Sequence, residues 1–202
     1  VEHALSALAG LEIDCCVVRV SAEELPGLDG SALAFVKALD EAGLERLGSP
    51  VEPLVVTEPC RVTDGEAWIE ALPSGQSGLF VEYELDYGRG PIGRQQLALS
   101  ITPQTYRLEL AAARTFIMQA EAERLRATGL ARDVTTHELL VFGPDGPIDN
   151  QLRWPDECVR HKVLDLVGDL ALAGRPIQGH VRACRSGHRL NAALAAQLRN
   201  LS

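Results

Sequence analysis

The 202-residue sequence lacks the features that mark membrane-spanning and disulfide-stapled secreted proteins. No hydrophobic run approaches the ~18 apolar residues that a membrane-spanning helix needs. Residues 1–12 lack the basic start and apolar centre of a signal peptide. No CxxC pair occurs and the number of cysteines is odd, whereas a secreted disulfide scaffold usually has an even set. We therefore expect a cytoplasmic protein without a transmembrane segment, in which the thiols are reduced and buried: Cys15, Cys16, Cys60, Cys158 and Cys184.

Positive charge is also scarce. The 19 Lys and Arg residues against 28 Asp and Glu residues give a formal net charge of −9 at pH 7, which argues against broad nucleic-acid binding. A local basic pocket for an anionic ligand is still compatible with this balance. Hydrophobic residues make up 46% of the chain, which indicates a folded globular protein of one domain or two small ones.

Hydrophobic periodicity and turn residues predict helices grouped beside antiparallel strands, which favours an α+β layered architecture. The predicted helices cover 1–10, 31–43, a segment starting near Pro103, 119–129, 155–174 and 188–201. The predicted strands are 13–20, 54–62, 66–72, 78–87, 93–101, 137–142 and 176–184. The four strands between 54 and 101 have separators rich in Gly, Pro, Asp and Ser, which predicts a meander. Residues 48–53 are interpreted as a linker.

The predicted helix at 155–174 contains RHKVLDLVGDL, in which His161, Asp165 and Asp169 lie four residues apart. Four residues make about one helical turn, so the three side chains share one stripe and aliphatic residues form the opposite face. Gly168 lies in the polar stripe and opens space there. His161 and Asp165 could meet one ion, but a catalytic zinc usually has three protein ligands. A surface hydrogen bond or ion pair, with Asp169 as a solvated acid, is the structural alternative.

The other four histidines allow both structural and chemical interpretations. His188 begins the last helix after a Ser-Gly pair and could be a capping or surface residue. Glu2 precedes His3, and a glutamate beside a metal-binding histidine could act as general base on bound water. For His137 and His180 we expect only structural roles.

Five segments together resemble a known family: VEHALSALAGLEID, LDGSA, ARTF, RHKVLDLVGDL and SGHRLNAAL. Their order and spacing are those of the UDP-3-O-acyl-N-acetylglucosamine deacetylases, the zinc amidases that commit bacteria to lipid A synthesis. The resemblance covers nearly the whole chain, and VEH, HKxxDxxGD and SGHxLN together are highly specific. It implies an enzyme that hydrolyses the N-acetyl group of a UDP-linked acylated glucosamine and releases acetate.

The resemblance also implies a fold of two similar two-layer α/β sandwich halves with antiparallel sheets. This chain would hold the C-terminal part of the first half at residues 1–49 and the whole second half at residues 50–202. The family's first strand-helix segment, which normally precedes VEH, is absent. We therefore expect the natural protein to supply a preceding segment.

The resemblance assigns zinc to His3, His161 and Asp165, and it makes Glu2 the general base. Further roles follow for five positions that match family motifs. His188 resembles the general acid or the cation that stabilises the oxyanion, with Asp169 orienting it and pairing with its charge. Thr115 resembles the hydroxyl near the oxyanion. Lys162 resembles a substrate-contacting cation that faces the nucleotide phosphates, and Phe116 resembles a residue that lines the substrate site. Asp29, in LDGSA, is given only a structural turn role.

Two further departures from the family pattern concern loop shape and the acyl-chain passage. Ile117-Met118 follow ARTF where many members have Gly-Phe, and ARDVTTHELLVF at 131–142 replaces a Gly-Gly stretch. A catalytically inactive fragment or binding module that keeps the fold is the alternative from another class. A zinc hydrolase acting on another amide or ester is a third interpretation. The intact acid, base and metal set favours the enzyme, while acyl-chain length and oligomeric state have no signature in the sequence.

Overall fold

The computed structural model describes residues 1–129, 135–136 and 138–200. Its helices are α1 (Glu2–Gly10), α2 (Leu33–Ala42), α3 (Pro103–Thr105), α4 (Gln119–Ala127), α5 (Glu157–Leu170) and α6 (His188–Asn200). A π-helical turn at Tyr106–Leu110 follows α3, and a 3-10 turn at Ala171–Ala173 follows α5. None of the described helices combines the length and apolar character needed to cross a membrane.

The strands are β1 (Leu54–Val55), β2 (Cys60–Asp64), β3 (Ala67–Leu72), β4 (Leu79–Asp86), β5 (Arg94–Ile101), β6 (Phe116–Met118), β7 (Leu140–Gly143), β8 (Gly146–Pro147) and β9 (Ile177–Cys184). The main sheet has the order β2-β3-β9-β4-β5, and β1 pairs with β9 beside it. A smaller sheet has the order β6-β7-β8. Together with the helices this is an α+β fold, as predicted.

The predicted meander is wrong at its centre. β2 and β3 pair as neighbours, as do β4 and β5, but β9 lies between β3 and β4. β9 runs antiparallel to β3 and parallel to β4, with Val81 opposite Val181. The expectation of antiparallel sheets is therefore also wrong, because both sheets contain parallel pairs. Local turn residues predict hairpins, but pairing with a strand about a hundred residues later leaves no local signal.

The main sheet buries one face beneath α5 and α6. Side chains alternate along each strand, as the pleat requires, and the inward residues are buried: Ile69, Ala71, Val81, Tyr83, Val181 and Ala183. The aliphatic face predicted for α5 is confirmed, since its members are buried too: Val159, Val163, Leu164, Leu166, Val167 and Leu170. The opposite face of the sheet carries ion pairs, among them Arg182 with Glu70 and Glu82.

Helix α1 packs on the polar side of α5, and Gly168 makes this contact possible. A β-carbon on Gly168 would lie 2.2 Å from the backbone oxygen of Glu2 and 3.2 Å from the Cβ of Ser6. The hydroxyl of Ser6 donates a 2.7 Å hydrogen bond to the backbone oxygen of Leu164. The space that the sequence predicted beside Gly168 is thus filled by α1.

Gly10 allows a second close contact of α1. It is the last residue of the helix, and a β-carbon there would lie 2.3 Å from the ring of Tyr106. The Tyr106 hydroxyl lies 2.9 Å from the Ser6 hydroxyl and donates to it. Gly10 therefore makes room for an aromatic ring, whereas the sequence suggested only a helix end.

The predicted strand at 13–20 is wrong, because no described strand pairs with this segment. Val17 is 82% exposed. A β-rich segment forms a strand only where neighbouring backbone accepts and donates its hydrogen bonds. The expectation of buried thiols is confirmed for Cys158 and wrong for the four cysteines that are exposed or half-buried: Cys15, Cys16, Cys60 and Cys184.

The other predicted elements agree with the structure to within a few residues. α2 ends before Gly43 as expected, although Ala32 rather than Ser31 precedes its first residue. The first predicted strand of the meander divides into β1 and β2. The strand predicted at 137–142 appears as β7, while His137 lies outside the described residues.

Candidate metal centre and catalytic site

The structure brings together the three predicted metal ligands. His3 lies in the first turn of α1, while His161 and Asp165 lie one turn apart on α5. Their candidate ligand atoms all lie within 4.8 Å of one another. Oδ1 of Asp165 is 3.2 Å from Nε2 of His161 and 3.7 Å from Nε2 of His3. The packing of α1 on α5 therefore adds His3 to the two candidate ligands that their spacing on α5 brings together.

Asp165 Oδ1 is a buried oxygen without a hydrogen-bond partner in the described part of the chain. Such an atom is costly, because it has lost water and gained nothing in return. Two imidazole nitrogens and one carboxylate oxygen are donors that zinc accepts, and three protein ligands are typical of a catalytic zinc. The residues present therefore fit this metal.

The orientation of His161 is set by the backbone. Its Nδ1 lies 3.1 Å from the backbone oxygen of Ala113. A carbonyl oxygen only accepts hydrogen bonds, so Nδ1 carries the proton and donates it. Nε2 is then left with a free lone pair directed towards Asp165 and His3, which is the tautomer that a metal ligand needs.

Asp165 is ionised although it is only 3% exposed. Burial raises the pKa of this carboxyl, but the nearby imidazoles of His161 and His3 and the ammonium of Lys162 hold the pKa well below its usual range. Nζ of Lys162 donates to Oδ2 of Asp165 at 2.8 Å. Burial lowers the pKa of Lys162, and the carboxylate of Asp165 more than compensates, so the pKa is raised. The result is a carboxylate with one oxygen paired and one available to a metal ion.

A second chain of contacts joins His188 to Asp169, as the sequence predicted. Nδ1 of His188 lies 2.9 Å from Oδ2 of Asp169. This hydrogen bond is the main reason why the pKa of His188 is raised above 6.5, and the nearby carboxylates of Asp165 and Asp169 add to it. The imidazole is 56% exposed, so it can meet a substrate while its charge is stabilised from within.

Asn191 completes this chain, and the sequence interpretation missed it. Its Nδ2 donates a 2.9 Å hydrogen bond to Oδ2 of Asp169, and its Oδ1 accepts one from the hydroxyl of Ser186 at 2.5 Å. The backbone oxygen of Ser186 in turn accepts from the hydroxyl of Tyr83. The signal was present in SGHRLN, because residues three apart on a helix share a face. His188 and Asn191 reach the same carboxylate for that reason.

Glu2, the predicted general base, belongs to the same cluster. Candidate ligand atoms of Glu2, Asp165 and His188 all lie within 4.8 Å of one another. Glu2 is half-buried, and the contact of its backbone with Gly168 fixes the height of α1 along α5. The carboxylate of Glu2 and the imidazole of His188, both partly exposed, thus flank the candidate metal ligands.

Thr115 and Phe116 follow directly after the backbone that orients His161. The Thr115 amide donates to the backbone oxygen of Gly30 at 2.8 Å. Gly30 has a φ of +76°, and a β-carbon there would lie 2.9 Å from the Thr115 methyl group. The Phe116 ring centroid lies 6.4 Å from that of His161, edge to face. The turn role of Asp29 is confirmed, since its carboxylate accepts from the amide of Ser31 at 3.1 Å.

A cavity of about 590 Å³ opens beside Lys162. Its ammonium also lies 5.6 Å from the centroid of the Phe116 ring. The remaining wall is mostly polar and includes one more cation: Tyr83, Leu85, Asp86, Tyr87, Gly88, Arg185 and Ser186. Both cations are ion-paired, Lys162 with Asp165 and Arg185 with Glu66 and Asp86, so the cavity has mixed charge.

His180 lies apart from this site, as expected. It belongs to β9 on the outward face of the main sheet, where Nε2 is 3.5 Å from a carboxylate oxygen of Glu82. Its ring packs against Phe80 with centroids 5.0 Å apart.

Comparison with known proteins identifies the family of the chain. Residues 1–200 match the family model for UDP-3-O-acyl N-acetylglycosamine deacetylase. Proteins named UDP-3-O-acyl-N-acetylglucosamine deacetylase are 37% identical over 195 residues in Leptospira biflexa, 41% over 198 in Solibacter usitatus and 42% over 193 in Brucella ovis. These matches cover 96%, 98% and 95% of this chain, but 64%, 66% and 67% of the relatives. The chain thus spans about two thirds of their length, and it belongs to the UDP-3-O-acyl N-acetylglycosamine deacetylase family.

Proposed function

We propose that this chain carries the metal-binding and catalytic residues of a zinc-dependent deacetylase. Its substrate is a UDP-linked, 3-O-acylated N-acetylglucosamine, and the reaction releases acetate in lipid A synthesis. The observation that carries the proposal is the buried, unpartnered Oδ1 of Asp165 between two imidazole nitrogens. The names of the relatives supply the substrate class.

Zinc bound by His3, His161 and Asp165 would supply Lewis acidity, which polarises the acetyl carbonyl and lowers the pKa of water. Glu2 accepts the proton of the attacking water as that water adds to the amide carbonyl. The hydroxyl of Thr115 donates a hydrogen bond to the oxyanion that develops on the carbonyl oxygen.

His188 performs the opposite proton transfer. Its raised pKa favours the charged imidazole, which can donate a proton to the amine as the C–N bond breaks. Without this proton the leaving group would be a poor amide anion. Asp169 holds the imidazole and stabilises its charge through the 2.9 Å hydrogen bond to Nδ1.

Lys162 and Phe116 contact the substrate in this proposal. Lys162, whose ammonium donates to Asp165, lines the 590 Å³ cavity, where it would also bind the nucleotide phosphates of the substrate. Phe116 supplies an apolar wall next to His161. The pathway to which the substrate belongs places the reaction in the cytoplasm.

The test combines metal analysis with turnover of the UDP-linked substrate. We expect about one zinc per chain, and release of acetate together with a free glucosamine amine. His3→Ala should lower zinc affinity, whereas His180→Ala, which removes a histidine from the far face of the sheet, should not. Zinc binding without deacetylation would favour a binding module. A folded chain that binds no zinc at these three residues would refute the metal centre.

A further inference from the structure

The short segment Ala113–Phe116 serves two parts of the site at once. The backbone oxygen of Ala113 holds Nδ1 of His161, and three residues later the Phe116 ring lies 6.4 Å from the His161 ring. Arg114 lies between them, and its side chain is turned into the protein, where the residue is only 7% exposed. A buried arginine in the middle of such a segment requires an explanation.

The guanidinium of Arg114 is held by a fork of contacts with Glu157. Nε donates to Oε1 at 2.8 Å and Nη2 donates to Oε2 at 3.1 Å. The backbone amide of Arg114 also donates to Oε1 of Glu157, at 3.1 Å. Nη1 donates to Oδ1 of Asn150 at 2.8 Å, and Nη2 to the backbone oxygen of Gln151 at 2.6 Å. Side chain and main chain of Arg114 are therefore fixed by the same carboxylate.

Glu157 is fully buried and is the first residue of α5. It stands one helical turn before His161, so the distance between its carboxylate and the His161 ring is set by a rigid helix. Its Oε2 also accepts from the amide of Arg153 at 2.6 Å. The ion pair thus joins the Ala113–Phe116 segment to the helix that carries two metal ligands.

We propose that Arg114 is a positioning residue of the metal centre. Its ion pair with Glu157 fixes the backbone of Ala113, so that the carbonyl oxygen holds His161 with Nε2 free for the metal. The catalytic meaning of this role rests on the proposed function. Stability alone is a weak reason for the pair, because apolar residues in place of a buried ion pair are often neutral or stabilising.

The first experiment measures the zinc dissociation constant of folded Arg114→Met and of Arg160→Met. Arg160 is the matched control, since it also lies partly buried in an ion pair, with Asp156 at the start of the same helix. Loss of a group that orients a metal-bound histidine typically weakens metal binding about 10–100-fold. We expect that loss in Arg114→Met only, with less than a twofold change in the control. Equal affinities in the parent and Arg114→Met would overturn the proposal.

A second readout does not need the metal. In the metal-free protein, the nitrogen-detected NMR spectrum of His161 reports whether Nδ1 carries a proton that is protected from exchange with solvent. We expect this proton in the parent and in Arg160→Met, and its loss in Arg114→Met. Its retention in Arg114→Met would overturn the positioning role. If the parent bound no zinc, the proposed function would fail while this spectrum still decided the role of Arg114.

The double variant Arg114→Met/Glu157→Leu separates positioning from stability. Removing both charges leaves no unpaired buried ion, so we expect its thermal midpoint to return towards that of the parent. Its zinc affinity should stay 10–100-fold weaker, because methionine and leucine cannot reproduce the contacts that fix the Ala113 backbone. Recovery of parental zinc affinity in the double variant would mean that the pair does not position the site.

Discussion

Gly168 and Glu2 are in direct contact across two helices, with 2.2 Å between the position of a Gly168 β-carbon and the Glu2 backbone oxygen. Gly168→Ala would favour an isolated helix by about 1 kcal/mol. In the folded protein the methyl group must displace α1, and overpacking of this kind costs about 1–3 kcal/mol. We expect a lower thermal midpoint and weaker zinc binding, because Glu2 and His3 move with α1. The control is Gly75→Ala, where nothing lies within 4 Å of the added carbon; equal effects of both substitutions would contradict this explanation.

The pH dependence of turnover should follow the contact between His188 and Asp169. The hydrogen bond to Asp169 raises the pKa of His188 above 6.5, so Asp169→Asn should lower it and move the alkaline limb of the pH–rate profile to lower pH. Glu82→Gln removes a carboxylate beside His180 instead and should leave the limb in place. If the alkaline limb of the pH–rate profile did not move in Asp169→Asn, Asp169 would not act on the general acid His188.

The hydrogen bond between His188 and Asp169 also makes the free energy of unfolding depend on pH. Because the pKa of His188 is higher in the folded than in the unfolded protein, its stabilisation is complete below pH 6.5 and is lost as pH rises through the folded pKa. Denaturant unfolding of the parent and of His188→Ala, at pH values on both sides of this window, measures the difference. We expect it to shrink as the pH rises. A difference that grows with pH would contradict the assignment.

Asn191→Ala removes the amide that donates to Asp169 and leaves the Ser186 hydroxyl without its acceptor. A buried group that loses its partner costs about 1–3 kcal/mol. We expect reduced kcat with little change in KM, since Asp169 would hold the acid less firmly but touches no substrate. Asn200→Ala, at the exposed end of α6, is the control. A change in KM alone would place Asn191 in substrate binding instead.

Substitutions at the neighbouring residues Glu2 and His3 distinguish the proposed general base from a proposed metal ligand. Glu2→Gln keeps the side-chain shape but cannot accept the water proton, so it should bind about one zinc and lose most turnover, typically about 10²–10⁴-fold for a general base. His3→Ala should lose zinc affinity as well, and excess metal should partly rescue only this variant. Full activity in Glu2→Gln would mean that another residue is the base.

Local sequence patterns predicted the parts of the fold that local forces determine. The 3.6-residue period placed α5 and α6 and identified the buried face of α5. The insertion of β9 between two hairpins, and the unpaired segment 13–20, depend on which distant backbone is available as a partner. Alternation within a single segment contains no information about that partner.

The candidate site likewise has features that the sequence predicted and features that it did not. The spacing of His161 and Asp165 on one helix was sufficient to predict that they meet, whereas the place of His3 beside them came from the family resemblance. The sequence did not predict the contact of the Ala113 carbonyl with His161, because a backbone acceptor has no signature in sequence. It did not predict the Arg114–Glu157 pair either, because the two residues are 43 positions apart. Asn191 was readable in principle, three residues after His188 on a predicted helix.

Because α1 and α5 lie far apart in sequence, a ribosome makes the two helices that meet at the site at different times. His3 is made before α5, and Asp165 follows it only after roughly 8–30 s at ordinary rates of protein synthesis. Throughout this interval the first donor has neither a helix to pack on nor fellow ligands, and Asn191 and His188 emerge later still. A nascent chain therefore cannot complete the proposed set of metal ligands, and cannot begin the proposed chemistry, before nearly all of these residues have been synthesised.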